Sequence, residues 1–317
     1  MSVSWSIQTP RHAPGAIAVV RLSGDDLDEV LRTLRLDPAP IGSAHLVDIL
    51  GIDRGLVVRW THETADLCVH GGLGVLAALG ARLRAHGLCE HAEVDWSSRA
   101  DWRGAWPEAR NEIEARMLEA LSHVVSPRAV DLLLQQPARW RCHRAGEGLA
   151  DAAVLRRLLH APLVVIWGAP NIGKSTLLNA LAREQVGLVA DMPGTTRDAV
   201  GATVLLDGLA VRMLDAPGLA EGEPDALVAE AVAIARGLAA EADLVLCCGD
   251  ATHEPLATER PHLRVALRAD AGIPAWNHDA LVSAHTGEGL NALALLIRQT
   301  LVPHAALQDG RAWKFWE

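Results

Sequence analysis

The chain has 317 residues, of which half are hydrophobic, and it carries a formal net charge of −10. This length predicts about two domains. The negative balance argues against nucleic-acid binding through a generally basic surface, although it is compatible with a local basic patch such as Arg139, Arg141 and Arg144.

The sequence shows no signal peptide, no C-x-x-C pair among its five cysteines and no metal-ligand spacing among its fourteen histidines. No apolar run reaches the roughly 18 residues that a membrane span needs. We therefore expect a cytoplasmic protein with reduced thiols and no membrane association.

The first segment, residues 1–98, predicts a small α+β domain. Short apolar runs that end in turn residues predict its strands, and apolar residues spaced three or four apart predict its helices. The predicted strands are 16–22, 55–60 and 65–69, and the predicted helices are 25–35 and 75–86, the second opened by His70-Gly71-Gly72. Residues 99–160 are rich in Arg, Glu and Ala, and their helical periodicity predicts a short linker region of two or three helices. One of these is the stretch from Ala129 to Gln136, which follows Pro127.

From residue 161 to residue 303 strand and helix signals alternate. The run LVVIW (163–167) is continuously apolar, which is typical of a strand buried on both faces of a parallel sheet. The further predicted strands are 202–206, 210–215, 243–248, 263–267 and 280–282, and the predicted helices are 174–183, 226–239 and 288–301. This order predicts a doubly wound, mostly parallel α/β domain whose ligand sites lie after the strands. Residues 304–317 are predicted to form a C-terminal tail.

A phosphate-binding loop follows the strand 163–167. Residues 168–175 have the pattern G-x-x-x-x-G-K-S between a strand and a helix, which is the context that a P-loop requires. Its backbone N–H groups would face phosphates, Lys174 would reach the β- and γ-phosphates, and Ser175 would offer its hydroxyl to Mg²⁺. The predicted nucleotide contacts of this loop are Gly168, Asn171, Ile172, Gly173, Lys174, Ser175 and Thr176.

Later segments stand in the order expected of a GTP-binding domain. The hydroxyl of Thr196, or alternatively of Thr195, would complete the Mg²⁺ shell when the γ-phosphate is present. Asp215, at the end of a predicted strand, can hold Mg²⁺ through water, and the N–H of Gly218 can sense the γ-phosphate. Ser283-Ala284, after the strand 280–282, can pack under the base. Together with the P-loop, these segments predict a P-loop GTPase fold that binds GTP and GDP.

Four stretches of the chain resemble the G domain of the MnmE (TrmE) family of tRNA-modification GTPases: NIGKSTLLNAL, ADMPGTTRDAV, MLDAPGLAE and VSAHTGEGL. The stretch TPRHAPGAIAVVRLSG and the turn His70-Gly71-Gly72 are similar to that family's N-terminal folate-binding and dimerising domain. The resemblance is strong over 163–221, moderate over 8–24 and 66–80, and weak over 99–160.

The resemblance implies a GTPase that needs Mg²⁺, is stimulated by K⁺ and dimerises through its N-terminal and G domains. It implies that Asn171 helps to hold K⁺ and acts in catalysis with Lys174. It also implies a formyl-tetrahydrofolate site, for which Arg21 and His70 are candidates. Finally, it implies a FAD-dependent partner with which the family modifies the wobble uridine of tRNA.

The guanine-binding loop departs from the family pattern. Where N-K-x-D is expected after the strand 263–267, the chain has Leu267-Arg268-Ala269-Asp270. Asp270 can still pair with the guanine N1 and N2 hydrogens, but Leu267 replaces the Asn that contacts the base and ties the loops together. Since a lost hydrogen-bonding partner costs about 0.5–1.5 kcal/mol, we expect weaker affinity with guanine preference retained.

The water-positioning carboxylate has no clear place in the sequence. The family uses a Glu about a dozen residues after the position of Asp215, and Glu230 is the nearest Glu, with Glu221 and Glu223 as weaker candidates. Slow hydrolysis and a GTP-binding module without hydrolysis therefore both stay open.

The helical region is shorter than in the family, and the family's C-terminal C-x-G-K signature is absent from the 317 residues. That signature belongs to the tRNA-modification site. Two interpretations follow: a GTPase that acts in tRNA wobble-uridine modification, or a divergent GTP-binding regulatory switch with no part in tRNA chemistry.

Overall fold

The computed structural model describes residues 3–9, 15–36, 38–91, 102–184, 200–216, 236–256 and 258–316. The chain divides into two compact units, Met1–Glu119 and Ala120–Glu317. Each unit contains a six-stranded sheet. No helix in these ranges is long and apolar enough to cross a membrane.

The sheet of the first unit has the strand order β3–β4–β5–β2–β1–β6. Its strands are β1 Ser4–Ile7, β2 Ile17–Ser23, β3 Ser43–Ile49, β4 Asp53–Arg59, β5 Thr64–His70 and β6 Cys89–Glu90. The first and last of them pair in parallel, and the other neighbours are antiparallel. Alternate residues of β2, namely Ala18, Val20 and Leu22, are buried, as expected for a sheet with one face on a core.

Two helices cover the buried face of this sheet: α1, Leu27–Thr33, and α2, Leu73–Ala85. Leu27 and Leu31 of α1 and Leu79 and Leu83 of α2 are almost fully buried in the same core as β2 and β5. Their spacing of four residues places each pair on one helix face. Burial of a Leu side chain stabilises the fold by about 1.5–3 kcal/mol, so each of these four positions contributes to the packing of the unit.

Four further α-helices lie between the two sheets in the sequence: α3 Trp102–Ala105, α4 Glu112–His123, α5 Pro127–Cys142 and α6 Ala152–Leu155. Pro127 begins α5, which is a favourable place for a residue without an N–H donor. Helix α5 runs past Pro137 to Cys142, beyond the end that the sequence predicts at Gln136. A 3₁₀ turn, Arg156–Leu158, follows α6.

The sheet of the second unit has the order β12–β11–β10–β7–β9–β8. Its strands are β7 Leu163–Gly168, β8 Val200–Leu206, β9 Leu209–Asp215, β10 Leu244–Gly249, β11 His262–Ala266 and β12 Ala280–Leu281. All neighbours are parallel except the hairpin of β8 and β9. This arrangement confirms the predicted, mostly parallel α/β fold, and every position of β7 and β10 is buried.

The helices of this unit include α7 Lys174–Glu184, α8 Leu290–Leu301 and α9 His304–Leu307. Of the predicted helix 226–239, residues 226–235 lie outside the described ranges, and residues 236–241 are helical. Helix α8 buries one face through Leu290, Leu293, Ala294, Ile297 and Leu301.

The segment that the sequence assigns to a tail packs against α5. The indole of Trp313 is fully buried, and its backbone N–H donates to Oε1 of the buried Gln136 at 2.8 Å. The indole N–H of Trp140 donates to the Trp313 carbonyl at 3.0 Å, and the N–H of Ala150 donates to the Ala312 carbonyl at 2.9 Å. The chain end is therefore part of the second unit's packing.

A charged clasp joins three elements of the second unit. Asp207, in the turn between β8 and β9, accepts a hydrogen bond from Nη2 of Arg128 at 2.6 Å and one from Nε of Arg298 at 2.8 Å. Burial raises the pKa of the Asp207 carboxyl, but the bonds from the two guanidinium groups outweigh it and hold the pKa below its usual value. Arg298, on α8, is only 3% exposed, and Asp207 supplies the counter-charge for its buried guanidinium.

Replacement of Asp207 by Asn is expected to reduce the free energy of unfolding by about 2 kcal/mol, because a buried guanidinium loses its counter-charge. Asn tolerates the left-handed backbone of this position, φ 44°, so the variant removes mainly the charge. Urea denaturation measures the loss. Asp309→Asn is the matched control, since its partner Arg311 is 57% exposed and the loss should stay below about 1 kcal/mol. Equal losses in both variants would contradict the clasp.

Candidate functional site

The P-loop has a shape that its glycines and one asparagine allow. A Cβ on Gly168, at the end of β7, would lie 2.5 Å from the Cys248 carbonyl oxygen and 2.7 Å from Cδ1 of Ile172, so no larger residue fits. Asn171 and Gly173 have left-handed backbones, with φ of 60° and 109°. These turns lead the chain from β7 into α7, which begins at Lys174.

Lys174 is buried at the base of this loop. The residue is 7% exposed, and Nζ donates to the Ala169 carbonyl at 2.9 Å. Burial lowers the pKa of Lys174 from its usual value, and the nearby Asp215 raises it in part. A desolvated ammonium at the start of a helix is a strong binding point for a phosphate.

Ser175 and Asp215 form the candidate Mg²⁺ site. Asp215 ends β9, which pairs with β7 so that Ile166 lies opposite it. The Ser175 hydroxyl donates to Oδ2 of Asp215, whereas Oδ1 is buried and finds no hydrogen-bond partner among the residues that the structure describes. A hydroxyl and a carboxylate are ligands that Mg²⁺ prefers, and a cation would satisfy the unpaired oxygen, so these two residues fit the ion.

The described ranges contain no group of three or more His, Cys, Asp or Glu side chains that could hold a metal by themselves. Magnesium sites in nucleotide-binding proteins characteristically use one or two protein ligands, with phosphate and water completing the shell. The pair of Ser175 and Asp215 agrees with that pattern.

Asp270 and Ser283 meet at the opposite end of the site. The Ser283 hydroxyl donates to Oδ1 of Asp270 at 2.6 Å, and the N–H of Ala269 donates to the Val282 carbonyl at 3.1 Å. The hydrogen bond from Ser283 is the main reason that the pKa of Asp270 lies below its usual value. The carboxylate is therefore ionised at neutral pH and can accept hydrogen bonds from a base.

These two ends enclose one cavity of about 480 Å³. It is lined by eight residues that the sequence predicted as nucleotide contacts and by four that it did not predict as contacts, two of which belong to the departing guanine loop. The predicted ones are Asn171, Ile172, Gly173, Lys174, Ser175, Thr176, Asp270 and Ala284, and the additional ones are Leu267 and Arg268, Ala271 and His285. The position of Arg268 inside the departing guanine loop was the signal that could have identified it.

Several predicted site residues lie outside the described ranges. They are Thr195, Thr196, Gly218 and Glu230, together with the weaker candidates Glu221 and Glu223. Their roles stay predictions.

The two candidates for a folate site lie on neighbouring strands of the first unit but are not brought together. Arg21 forms a buried, two-pronged ion pair with Asp66, with N–O distances of 2.8 and 2.9 Å, and also donates to the Ala105 carbonyl. His70 is 74% exposed and contacts Asp53 at 2.9 Å. Because Arg21 pairs with Asp66 in the ladder, His70 lies four residues, or about 13 Å, further along β5.

Comparison with known proteins places this site in context. Residues 163–274 match the family model described as 50S ribosome-binding GTPase. The protein named tRNA modification GTPase MnmE from Acidiphilium cryptum is 32% identical over 90% of this chain and 78% of its own length. The protein of the same name from Methylobacterium radiotolerans is 34% identical over 93% of this chain and 80% of its own length.

Among solved structures, the G domain of the FeoB iron transporter from T. maritima matches 46% of this chain and 99% of that chain at 26% identity. The TM-score of 0.34 is low, and it adds no support for the fold.

Proposed function

Since this chain belongs to the MnmE family of tRNA modification GTPases, we propose that it binds GTP in the cavity at the P-loop and hydrolyses it to GDP and phosphate. The observation that carries the proposal is the cavity itself. It is lined by the buried Lys174 and by Ser175, which bonds to Asp215, at one end and by the ionised Asp270 at the other. A triphosphate and a guanine base are complementary to these two ends.

Each residue has a separate task in this proposal. Lys174 binds the β- and γ-phosphates, and the P-loop N–H groups bind the remaining phosphate oxygens. Ser175 and Asp215, with Thr196 or Thr195 in the triphosphate state, would hold Mg²⁺. When bound there, Mg²⁺ supplies positive charge that stabilises the transferring phosphoryl group.

The guanine preference rests on Asp270. Guanine presents two hydrogens, at N1 and N2, to a carboxylate, whereas adenine has an acceptor at N1 and no amino group at C2. Ser283 occupies Oδ1 of Asp270 and holds the carboxylate in place. Ala284 lines the cavity beside it and offers an apolar surface to the base.

Asp270→Asn is expected to weaken GTP binding about 100-fold, because charge-assisted hydrogen bonds contribute about 1.5–3 kcal/mol each. The same variant should bind xanthosine triphosphate more tightly than the wild type does, since an amide N–H can donate to the C2 carbonyl of xanthine. Calorimetric titration with GTP, ATP and xanthosine triphosphate checks both changes, and Lys174→Ala should lose all three nucleotides. Wild-type protein that bound ATP as tightly as GTP would contradict the guanine assignment.

We also propose that K⁺ stimulates the hydrolysis through Asn171. The main-chain carbonyl of this exposed residue, rather than its side chain, accepts the bond from Arg268. A cation held by the side-chain amide oxygen would neutralise charge that develops on the phosphates. Glu230 is the proposed water-positioning residue, with Glu221 and Glu223 as alternatives.

Turnover of GTP is expected to be faster in KCl than in NaCl. Asn171→Gly should remove this difference, because glycine keeps the left-handed backbone and the main-chain carbonyl but lacks the side-chain amide. Phosphate release at equal ionic strength measures both rates, and Glu230→Ala in single turnover tests the carboxylate. Equal wild-type rates in the two salts would reject the role of K⁺.

We propose that the protein acts on tRNA. In this proposal it forms a homodimer and, together with a FAD-dependent partner, modifies the wobble uridine. The identity of 32–34% over at least 90% of the chain to proteins named tRNA modification GTPase supports this role. The five cysteines are all free thiols, which agrees with a cytoplasmic setting. Binding of formyl-tetrahydrofolate by the first unit belongs to the same proposal.

A strain that lacks the gene is expected to lose a wobble-uridine modification, which mass spectrometry of digested tRNA detects. The wild-type gene should restore the modification, and the Lys174→Ala gene should not, because the modification depends on bound GTP. Unchanged tRNA in the deletion strain would favour the divergent regulatory switch instead.

A further inference from the structure

We infer that the end of α5 and the C-terminal segment form a surface that binds a single-stranded stretch of RNA. This surface, the basic face, consists of residues 139–144 and 311–316. The inference rests on the proposed action on tRNA and says which part of the chain holds the RNA. The basic face belongs to the second unit and is separate from the nucleotide cavity, since the two share no lining residue.

The two stretches of the basic face interleave positive charge with aromatic rings. Residues 139–144 read RWRCHR, and residues 311–316 read RAWKFW. Together they contain four Arg and one Lys but no Asp or Glu, in a chain whose formal net charge is −10. A polyanion is therefore attracted to these stretches although the charge of the whole chain repels it.

The tertiary structure brings the two stretches together. Nη1 of Arg139 donates to the Arg311 carbonyl at 3.2 Å, and the indole N–H of Trp140 donates to the Trp313 carbonyl at 3.0 Å. The ring centroids of Trp140 and Trp316 are 5.1 Å apart. Basic and aromatic side chains that are far apart in the sequence therefore belong to one surface.

Several cations of the basic face keep donors that the protein does not use. Arg141, Arg144 and Lys314 are exposed, and their side chains have no hydrogen bond or ion pair with the residues that the structure describes. Arg311 is 57% exposed and bonds to Asp309 through Nε and Nη2, which leaves Nη1 without a partner in the same ranges. Such guanidinium groups are well suited to phosphate oxygens, which accept bonds from two N–H groups at once.

A cavity of about 650 Å³ lies within this surface. Arg139, Cys142 and His143 line it from α5, and Gly148 and Arg311 line it from the other side. Nη1 of Arg311 lies 3.2 Å from the position that a Cβ on Gly148 would take, so glycine leaves room for the guanidinium there. A recess of this size with cations on two sides is large enough for one nucleotide unit of a chain.

The aromatic rings favour RNA over an acidic protein as the partner. Trp140 and Trp316 are half-buried, so packing holds each ring in place while part of it stays accessible. Bases stack on such rings and on the planes of arginine side chains. Only an unpaired base presents its face for stacking, so the expected ligand is a single strand or a loop and not a duplex.

Arg141→Glu and Arg144→Glu are each expected to weaken the binding of a single-stranded RNA about tenfold, because each change replaces attraction by repulsion. Fluorescence anisotropy with a labelled strand of about 12 nucleotides measures the Kd. The slope of log Kd against log salt concentration should fall by about one in each variant. Arg82→Glu is the matched control, since Arg82 is an exposed arginine in the last turn of α2, as Arg141 is in α5. It should change the Kd by less than about twofold.

Two further measurements test the kind of ligand. The wild type should bind the single strand about tenfold more tightly than a duplex of the same sequence, and a Glu-rich peptide of equal charge should not displace the strand. Trp316→Leu keeps an apolar side chain but removes the stacking surface, so it should weaken the single strand about threefold. Its affinity for GTP should stay unchanged, which separates lost stacking from a folding defect.

Each result decides one part of the inference. Unchanged RNA affinity in both Arg141→Glu and Arg144→Glu would overturn the basic face. Displacement of the strand by the peptide would make an acidic protein the partner instead, and equal affinity for strand and duplex would overturn the stacking. If the wild type binds GTP and the deletion strain loses its tRNA modification while these variants bind RNA normally, the inference fails and the proposed function stands. RNA binding at the basic face in a protein that binds no GTP would instead overturn the proposed function alone.

Discussion

The parallel pairing of β7 with β9 and β10 is the constraint on which the nucleotide cavity depends. Every residue of β7 is buried, and its register sets Ile166 opposite Asp215 on one side and Gly168 opposite Cys248 on the other. The approach of Gly168 to the Cys248 carbonyl leaves no room for a Cβ. Because parallel strands end at the same edge, the P-loop, the Asp215 carboxylate and the loop after β11 converge there.

Most charged side chains at this edge have hydrogen-bond partners in the protein, whereas one buried carboxylate oxygen has none among the described residues. Arg268 is held between Asp250 and the P-loop carbonyl, and Asp270 is held by Ser283. Lys174 is desolvated, and Oδ1 of Asp215 has no hydrogen-bond partner in the part of the chain that the structure describes. Burial of the Lys174 ammonium and of an Asp215 oxygen costs free energy. A polyphosphate beside Lys174 and a divalent cation beside Asp215 would recover it, so the site is complementary to the two bound together.

Sequence patterns predicted the second unit more completely than the first. Strands β7 and β10 are continuous apolar runs because both faces of a parallel sheet are covered, and such runs are easy to recognise. Strand β3 was missed, since most of its residues are exposed at the edge of the first sheet and show no clear alternation. Strand β6 was not predicted, because it is only two residues long and shows no pattern. The sequence predicted the end of helix α5 too early, because Pro137 interrupts its helical pattern. In the structure the hydrogen bond from Trp140 to the Trp313 carbonyl stabilises the turn that follows Pro137.

The sequence by itself determined the phosphate loop, its lysine and serine, the carboxylate at the end of β9 and the departure at Leu267, because each depends on residue types at short, fixed spacings. Only the tertiary structure decided the partners of these residues. Arg268 and Asn171 are 97 positions apart in the chain and meet through the pairing of the strands between them. Arg21 is likewise committed to Asp66 by the register of β2 and β5. A hydrogen bond between distant residues is set by strand order and register, and no local spacing carries that information.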